Sequence, residues 1–492
     1  MNSKNPIKRL AGETAIYGLG TIIPRLLNYL LVPFYTYLVF NQSEYGQITE
    51  LYSYVGVFAV LLTFGMETAY FRYANKSDNP QQVFDVAMHF LVFTSIVFVV
   101  IMWLFLEPVS SAIGYKQHPE YIMILTMVVA LDAITALPFA WLRFHRKAKI
   151  FSIIKILNVV INISANILLL VVFPRIVGKN ITFYFPYNAI SNVGLVFVAN
   201  LIASFATLLM ILPVFRDFDF KTYPKLLKRL LAYGLPVLVI SLAGMINEVA
   251  DKILMKHLLP DASTAESQLG IYGANYKLAI LMMIFIQMFR YAFEPFFFAE
   301  EKNRDSRITY ARVMVWFVIF TTIIFLLVTL YLDIFKYFVG PNFREGLIIV
   351  PIILAAKLFL GIFYNLSVWY KLTNKTLYGA IIAIMGAAIT IGLNIYLIPR
   401  LGYIGAAWTN FAAYFTMMVV SYFWGQKVYP VPYNLKRIFF YLFLGAGLYF
   451  ISTIFAETAQ TFKILINTLL FGFFLLMVYH KEIKKINKVY EP

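Results

Sequence analysis

Long apolar stretches with few charges recur from one end of the chain to the other. A helix that crosses a lipid bilayer needs about 20 mostly apolar residues. Fourteen stretches of the 492-residue sequence meet this requirement. The predicted spans lie near residues 11–38, 46–70, 83–106, 121–142, 150–173, 188–212, 230–251, 270–298, 310–332, 346–370, 376–398, 402–424, 436–456 and 462–480. The connections between them are short, so the sequence predicts an all-α polytopic membrane protein with about 14 transmembrane helices and no soluble domain.

The amino-acid composition also indicates that this chain folds in lipid. Hydrophobic residues make up 61% of it and charged residues 13%, whereas soluble globular proteins are nearer half apolar and a quarter charged. A water-soluble fold could not hide so much apolar surface. The first stretch follows a short polar start with no small-residue cleavage pattern, so we expect a spanning helix there rather than a cleaved signal peptide.

Cysteine and histidine usage excludes several kinds of site. The chain has no Cys, which excludes disulfides, thiolate metal sites and cysteine nucleophiles. Its five His lie far apart in sequence and form no HxxH or HExxH spacing, so no metal motif is present. We therefore expect no cofactor.

Basic residues are distributed unevenly between the two sides of the membrane. In a soluble protein, the net charge of +17 would suggest nucleic-acid binding. In the fourteen-span topology, however, 27 basic residues lie on the side of the termini, 9 on the opposite side and 5 within spans. Cytoplasmic loops of membrane proteins are enriched in Lys and Arg. This asymmetry predicts that both termini are cytoplasmic, and it explains the net charge without a nucleic-acid partner.

The two halves of the chain share spaced motifs. A Tyr-Gly-Leu sequence at 17–19 recurs at 233–235, and a Tyr-Gly pair at 45–46 recurs at 272–273. In both copies a Glu follows the Tyr of that pair by 22 residues. A duplicated six-helix unit explains these matches. Because six is even, the two copies have the same orientation, as in transporters built from parallel repeats.

The repeat predicts a division of the chain into three parts. We expect an N-terminal lobe of six helices at 1–220 and a C-terminal lobe of six helices at 221–430. Two extra helices and a basic cytoplasmic tail follow at 431–492.

Two sequence blocks resemble a known transporter family. The first is Gly-Leu-Gly-Thr-Ile-Ile-Pro-Arg-Leu-Leu-Asn-Tyr-Leu-Leu-Val-Pro-Phe-Tyr-Thr at 18–36, followed by Ser-Glu-Tyr-Gly at 43–46. The second contains Tyr-Gly-Leu-Pro at 233–236, Asp-Lys at 251–252 and Gly-Ile-Tyr-Gly-Ala-Asn-Tyr-Lys at 270–277. Both resemble the bacterial polysaccharide transporters. This family includes the Wzx-type O-antigen flippases and belongs to the multidrug/oligosaccharidyl-lipid/polysaccharide exporter superfamily. The family usually has Asp-Arg where this chain has Asp-Lys.

The resemblance implies a fold, an activity and a cellular location. It implies a V-shaped pair of six-helix lobes that moves a lipid-linked oligosaccharide from the cytoplasmic to the periplasmic leaflet by alternating access. The substrate would be linked to undecaprenyl pyrophosphate and serve O-antigen and lipopolysaccharide synthesis in the bacterial inner membrane. Partners would be the lipid bilayer and other polysaccharide-assembly membrane proteins. None of the motifs specifies the sugar.

Four basic residues within predicted spans are candidate ligands for a pyrophosphate. A charge inside a spanning helix costs several kcal/mol unless it lines a cavity or is paired, so each is a functional candidate. Arg25, Lys277, Arg290 and Lys357 could line a water-filled vestibule, where Arg binds phosphate bidentately and Lys acts as a point charge. The alternatives are that Arg290 pairs with the Glu four residues later and that Lys277 extends to the membrane interface.

Two Asn residues are candidates for contacts with the sugar. Asn28 lies one turn after the first intramembrane Arg, and Asn162 belongs to a stripe with Asn158 and Asn166 at intervals of four residues. Such a stripe could line a groove for sugar hydroxyls, although the more usual role is hydrogen bonding between helices.

Acidic residues are candidates for coupling or gating. Asp132 lies in the middle of the fourth span, and Glu248 and Asp251 lie three residues apart near the end of the seventh. Buried carboxylates can carry coupling protons, and carboxylate with amide oxygens can hold sodium. The alternative is a structural salt bridge, for example between Asp251 and the Lys that follows it. Glu67 and Glu294, near the cytoplasmic ends of their spans, are better interpreted as salt-bridge residues that could also form a gate.

Other functions remain open at this point. A multidrug or cation antiporter of the same fold would favour acids over bases in its cavity and usually has twelve spans. A lipid II flippase would use the same cavity chemistry. A glycosyltransferase, polymerase or ligase would need a sizeable periplasmic loop with catalytic groups, and the loops here are short. We therefore expect that the chain is not an enzyme.

Overall fold

The computed structural model describes residues 6–177, 190–219, 221, 223–300 and 305–484. Within these ranges the chain is helical and contains no strand. It divides into two compact units, Met1–Ile253 and Leu254–Pro492. The prediction of an all-α polytopic fold is confirmed.

The described part of the first unit contains seven long helices, the last of which extends five residues beyond it. They are α1 (Pro6–Tyr29), α2 (Gln42–Thr63), α3 (Pro80–Leu104), α4 (Pro119–Phe144), α5 (Ala148–Ile167), α6 (Asn192–Ile211) and α7 (Pro224–Leu258). Short helical segments of α, π or 3-10 type extend several of them: Leu31–Phe34, Tyr35–Val39, Met66–Ala74, Leu106–Ala112, Leu168–Val172, Phe173–Val177 and Leu212–Phe215.

Eight long helices lie in the part of the second unit that the structure describes. They are α8 (Ala262–Tyr276), α9 (Ile280–Glu300), α10 (Ser306–Leu330), α11 (Val350–Leu366), α12 (Thr376–Leu401), α13 (Tyr403–Val428), α14 (Leu435–Ile454) and α15 (Gln460–Val478). The short segments are Lys277–Ala279, which joins α8 to α9 within one span, and Leu332–Phe335, Lys336–Phe338, Pro341–Ile349, Val368–Leu372 and Tyr479–Ile483.

Thirteen of the fourteen predicted spans are long and apolar enough to cross a membrane, counting only the described residues. The exception is the twelfth, which forms α13. With 26 residues α13 has sufficient length to cross. Its mean hydropathy is lower because buried polar residues, including Thr409, Asn410 and Ser421, interrupt the apolar sequence.

One predicted boundary differs from the structure. The predicted eighth span begins near residue 270, but its helix starts at Ala262, because Asp261 caps α8 by accepting a hydrogen bond from the Thr264 amide. The division between the two compact units lies within α7, at 253/254. The lobe boundary expected from the repeat remains a prediction.

The first part of α7 packs on the first unit through one apolar cluster. Fully buried members of this cluster include Met66, Tyr70, Phe84, Leu137 and Leu230. They come from α3, α4, α7 and the segment that follows α2, and they close one end of the unit. This packing explains why most of α7 belongs to the first unit.

Hydrogen bonds and ion pairs tie α14 and α15 to each other and to α10. Asn467 of α15 donates to the Leu330 carbonyl at 2.6 Å and accepts from Ser452 of α14 at 2.7 Å. At the other end of the pair, Arg437 Nη1 lies 3.1 Å from Glu482 Oε2. The two C-terminal helices are therefore an integral part of the second unit.

Candidate functional site

The centre of the first unit contains a group of interacting charges. Asp132, midway along α4, is exposed and accepts a hydrogen bond from Ser204 Oγ of α6 at 2.8 Å. Lys155 of α5 is half-buried, and its Nζ lies 3.9 Å from the centroid of the Phe139 ring. Asp132, Glu67, Arg143 and Arg25 all interact electrostatically with Lys155, Asp132 the most strongly and Arg25 the least. The first unit therefore places two carboxylates and two guanidinium groups within electrostatic range of the Lys155 ammonium.

A second interaction connects Arg25 to α7. The Tyr29 side chain, one turn after Arg25, interacts electrostatically with both Glu248 and Arg25. Arg25 and Asn28 are exposed, whereas Tyr29 and Glu248 are half-buried. The structure thus places two predicted site residues, Arg25 and Glu248, within electrostatic range of one tyrosine.

The Asn stripe of α5 makes hydrogen bonds within the first unit. Asn158 Nδ2 donates to Thr207 Oγ1 of α6 at 2.8 Å, and Asn166 Oδ1 accepts from the Tyr35 hydroxyl at 2.6 Å. Asn162 Oδ1 accepts from Asn166 Nδ2 at 2.7 Å. These bonds fit the usual role of such a stripe in holding helices together, and the half-buried Asn162 remains a candidate for sugar binding.

Two further predicted acids form ion pairs. Glu67 bonds to Arg143, which also lies 5.2 Å from the Phe71 ring centroid. Asp251 is completely buried in α7, where its Oδ1 lies 3.1 Å from the Nζ of Lys252. In both cases the salt-bridge interpretation describes the observed contact.

Lys357 occupies the centre of the second unit. It lies midway along α11 and is completely buried. Its Nζ lies 4.9 Å from the Tyr276 ring centroid and 5.1 Å from that of Tyr414. Cation–π contacts of this kind contribute about 0.5–2 kcal/mol each, whereas removing an ammonium from water costs several kcal/mol. The two rings therefore offset part of that penalty.

The other predicted cations of the second unit lie along one span. Lys277 is half-buried in the 3-10 turn between α8 and α9, directly after Tyr276. The Arg290 guanidinium lies 4.2 Å from the centroid of the Tyr364 ring. The predicted pairing of Arg290 with Glu294 falls on a side chain outside the described residues.

Sequence reasoning missed the role of Lys155. It precedes Asn158 by three residues and Asn162 by seven, a spacing that places all three on one helical face. This signal could have joined Lys155 to the Asn stripe. The contact between Asn200 Nδ2 and the Tyr52 hydroxyl, at 3.3 Å, was also missed, because no sequence pattern connects residues so far apart.

The family of the chain follows from its sequence. Residues 10–300 match the family model described as polysaccharide biosynthesis protein. The chain belongs to this family. The predicted resemblance is thereby confirmed, and no curated protein matches the chain.

Solved structures of similar fold come from two groups of transporters. One, the lipid II flippase MurJ in an inward closed conformation, is 14% identical, with 95% of this chain and 100% of that chain covered at a TM-score of 0.73. Another, an outward-facing multidrug resistance MATE family transporter of the MOP superfamily, is 14% identical, with 86% and 96% covered at a TM-score of 0.61. At this identity the likeness shows the fold alone.

In this member of the polysaccharide biosynthesis family, the candidate site residues fall into two sets. Arg25, Lys155 and Asp132 interact within the first unit, and Lys357 contacts two tyrosine rings within the second. Among the described residues, no group of three or more His, Asp or Glu side chains could hold a metal ion. The described site residues offer charge and hydrogen bonding to a ligand.

Proposed function

We propose that this protein is a flippase for an oligosaccharide linked to undecaprenyl pyrophosphate. It would move the substrate from the cytoplasmic to the periplasmic leaflet of the bacterial inner membrane by alternating access, with both termini in the cytoplasm. Partners would be the lipid-linked substrate, the bilayer and other polysaccharide-assembly proteins, and the pathway would be O-antigen and lipopolysaccharide synthesis. Membership of the polysaccharide biosynthesis family and the fold shared with MurJ support this proposal.

The observation that carries the proposal is the burial of Lys357 at the middle of a spanning helix. A pyrophosphate cannot cross hydrocarbon without a counter-charge, and an ammonium held at mid-membrane supplies one. The Tyr276 and Tyr414 rings contact this ammonium, and a pyrophosphate, which carries full negative charge, would interact with it more strongly than a neutral ring does.

The first unit supplies a second cationic position. Arg25 is exposed within its span and interacts with Lys155. Because an ionised group facing lipid costs several kcal/mol, the space in front of Arg25 is best explained as a water-filled cavity. Its guanidinium could bind a phosphate bidentately, which an ammonium cannot do.

The test is a flipping assay with protein reconstituted in liposomes. A fluorescent undecaprenyl-pyrophosphate oligosaccharide would be followed as it reaches the outer leaflet.

We expect Lys357→Met to slow flipping at least tenfold, because Met keeps the side-chain length without the charge, and Lys357→Arg to retain part of the rate. Arg25→Ala should abolish flipping and Arg25→Lys should retain part of it. The matched control, Lys375→Gln, changes an exposed Lys outside the spans and should leave the rate unchanged. Unchanged rates for both Lys357→Met and Arg25→Ala would refute the proposed role of these cations.

An antiporter that exports cations is the second candidate, because Asp132 is an exposed carboxylate in the middle of a span. The same vesicles would be loaded with a cationic dye, and a pH gradient would be imposed. We expect no dye efflux. Efflux without flipping would instead place this chain among the cation antiporters.

Lipid II serves as a second lipid substrate in the flipping assay, and we expect it to be moved more slowly than the oligosaccharide lipid.

A further inference from the structure

A cavity of about 600 Å³ with both polar and apolar lining residues opens at one end of the second unit. Sites for small molecules typically have volumes of about 300–1,000 Å³. Three parts of the unit line the cavity. They are the start of α8, the 3-10 segment Pro341–Ile349 and the turn between α12 and α13. Its polar lining consists of Asp261, Thr264, Gln268, Glu345, Arg400 and Tyr403.

The charged groups of this cavity are not neutralised by one another. Within the described part of the chain, neither the Glu345 carboxylate nor the Arg400 guanidinium forms an ion pair. Arg400 uses Nη1 for the Tyr396 carbonyl at 2.6 Å and stacks on that residue's ring at 3.9 Å. Its remaining N–H groups are available to a ligand.

The third charged group is held in a fixed position. Asp261 Oδ2 accepts hydrogen bonds from the Thr264 hydroxyl at 2.6 Å and the Ser263 hydroxyl at 2.9 Å. Hydrogen bonds from Thr264 and Ser263 lower the pKa of Asp261 to about 2, so this carboxylate stays ionised at neutral pH. None of these bonds uses Oδ1, which is left as an acceptor for a ligand.

A hydrogen bond joins two of the segments that line the cavity. Gln268 Oε1 accepts the Tyr403 amide hydrogen at 3.1 Å, and a Cβ on Gly402 would collide with that oxygen. Gly402 also has a φ of +56°, which favours glycine. The Gln268 Nε2 group makes no hydrogen bond to any described residue and is left as a donor.

We infer that this cavity binds the carbohydrate part of a ligand. Sugar hydroxyls can both donate and accept hydrogen bonds, and the cavity lining contains carboxylate acceptors, Asp261 and Glu345, together with donors, Arg400 and Gln268. Tyr403 adds an aromatic ring of the kind that packs on a sugar face. The inference rests on the proposed function. In the predicted topology this end of the unit faces the periplasm, where the cavity would hold the oligosaccharide as it leaves.

The test uses the full-length protein in lipid nanodiscs and saturation-transfer difference NMR. The probes are three soluble tetrasaccharides, of glucose, N-acetylglucosamine and mannose. We expect saturation transfer to at least one of them. Arg400→Gln and Glu345→Gln should each weaken its binding about tenfold, because a hydrogen bond to a charged group is lost. The matched control, Glu457→Gln, removes an exposed carboxylate outside the cavity and should leave binding unchanged.

Two results would overturn the inference: no saturation transfer to any of the three sugars, or binding that both cavity substitutions leave unchanged. The flipping assay separates this failure from a failure of the proposed function. If the protein flips the lipid-linked sugar but binds no sugar at the cavity, the cavity site is refuted and the proposed function stands. If Arg400→Gln weakens sugar binding but the natural protein flips no lipid-linked sugar, the cavity site stands and the flippase function is refuted.

Discussion

Asp132 shows how one contact can position a charge at the middle of a spanning helix. Ser204 on α6 orients its carboxylate at 2.8 Å, and Lys155 on α5 supplies a nearby positive charge. A nearby positive charge favours the ionised form of a carboxylate, so the proton affinity of the carboxylate changes when that charge moves closer or further away. This is the property that coupling transport to a proton gradient requires, and we propose that role for Asp132.

The substitution Asp132→Asn tests this role. Asn keeps the shape and an oxygen acceptor for Ser204, so the fold should be retained, but it cannot exchange a proton. We expect flipping in liposomes to continue without its dependence on a pH gradient. Ser204→Ala is the control, since it removes the hydrogen bond and keeps the carboxylate, and its gradient dependence should persist. A gradient dependence of Asp132→Asn equal to that of the natural protein would exclude this role.

At the scale of single residues, sequence identified which charges lie within spans but not which of them meet. Arg25 and Lys357 were recognisable because each interrupts a long apolar stretch. Their neighbours depend on how helices rotate and pack, which a uniformly apolar sequence leaves undefined. Tyr276 and Tyr414, which flank Lys357, are two of 34 tyrosines in the chain.

At the scale of elements, the contact between the break after α2 and α7 depends on two glycines. Phe64 and Gly65 both have left-handed backbone conformations, with φ values of 49° and 65°. A Cβ on Gly234 would lie 2.6 Å from the Phe64 carbonyl oxygen, and one on Gly65 would lie 2.7 Å from the Gly234 carbonyl oxygen. The backbones therefore approach too closely for any side chain at either position.

The repeated Tyr-Gly-Leu motif provides a matched pair of substitutions for this contact. Gly234→Ala should destabilise the protein by about 1–3 kcal/mol, because the backbone of the facing segment must move. Gly18→Ala, at the equivalent position of the first copy, should not destabilise it, because no described atom lies within 4 Å of the added Cβ. Thermal unfolding in detergent measures both. Equal midpoints for the two variants would show that the close approach does not limit stability.

A second group of ion pairs holds the C-terminal pair of helices at the end opposite the Arg437–Glu482 ion pair. Asp333, which follows α10, lies 2.6 Å from Lys463 of α15 and 3.1 Å from Lys336. Burial raises the pKa of Asp333, but hydrogen bonds and charges from Lys463 and Lys336 outweigh this and hold the pKa below its ordinary value of 3.8. Because the folded pKa is the lower one, this stabilisation is present above pH 3.8 and is lost as pH falls through the folded value.

Asp333→Asn should therefore lower the free energy of unfolding near pH 7 by about 1 kcal/mol, the upper end for a partly exposed ion pair. As pH falls below 3.8, the difference from the natural protein should shrink, because protonation removes the same charge. Unfolding midpoints measured across this pH range provide the check. Asp78→Asn changes an exposed carboxylate elsewhere and should have no such pH-dependent effect. A difference that grows on acidification would contradict the expected direction of this pH dependence.

At the scale of the whole molecule, hydropathy predicted the fold well because each span must separately satisfy the length of the bilayer. It was less informative where helices bury polar groups against one another. In α13 the Asn410 amide donates to the Tyr272 hydroxyl at 3.1 Å, so the helix is polar where it packs within its unit. Short segments between spans, such as the helix Leu106–Ala112, were also assigned to loops because they are too short for a hydropathy signal.

The number of crossings decides which side of the membrane each loop occupies, and α13 is the helix on which that number depends. Lys375 precedes α12 and Glu457 follows α14. If α12, α13 and α14 all cross, three crossings place these residues on opposite sides, whereas without α13 two crossings place them on the same side.

Because the chain has no Cys, Lys375→Cys and Glu457→Cys each introduce a single thiol. In spheroplasts, we expect a membrane-impermeant maleimide to label Glu457→Cys directly and Lys375→Cys only after permeabilisation, as the basic-residue asymmetry predicts. Labelling of both without permeabilisation, or of neither, would leave α13 as a helix that does not cross, and labelling of Lys375→Cys alone would reverse the predicted orientation.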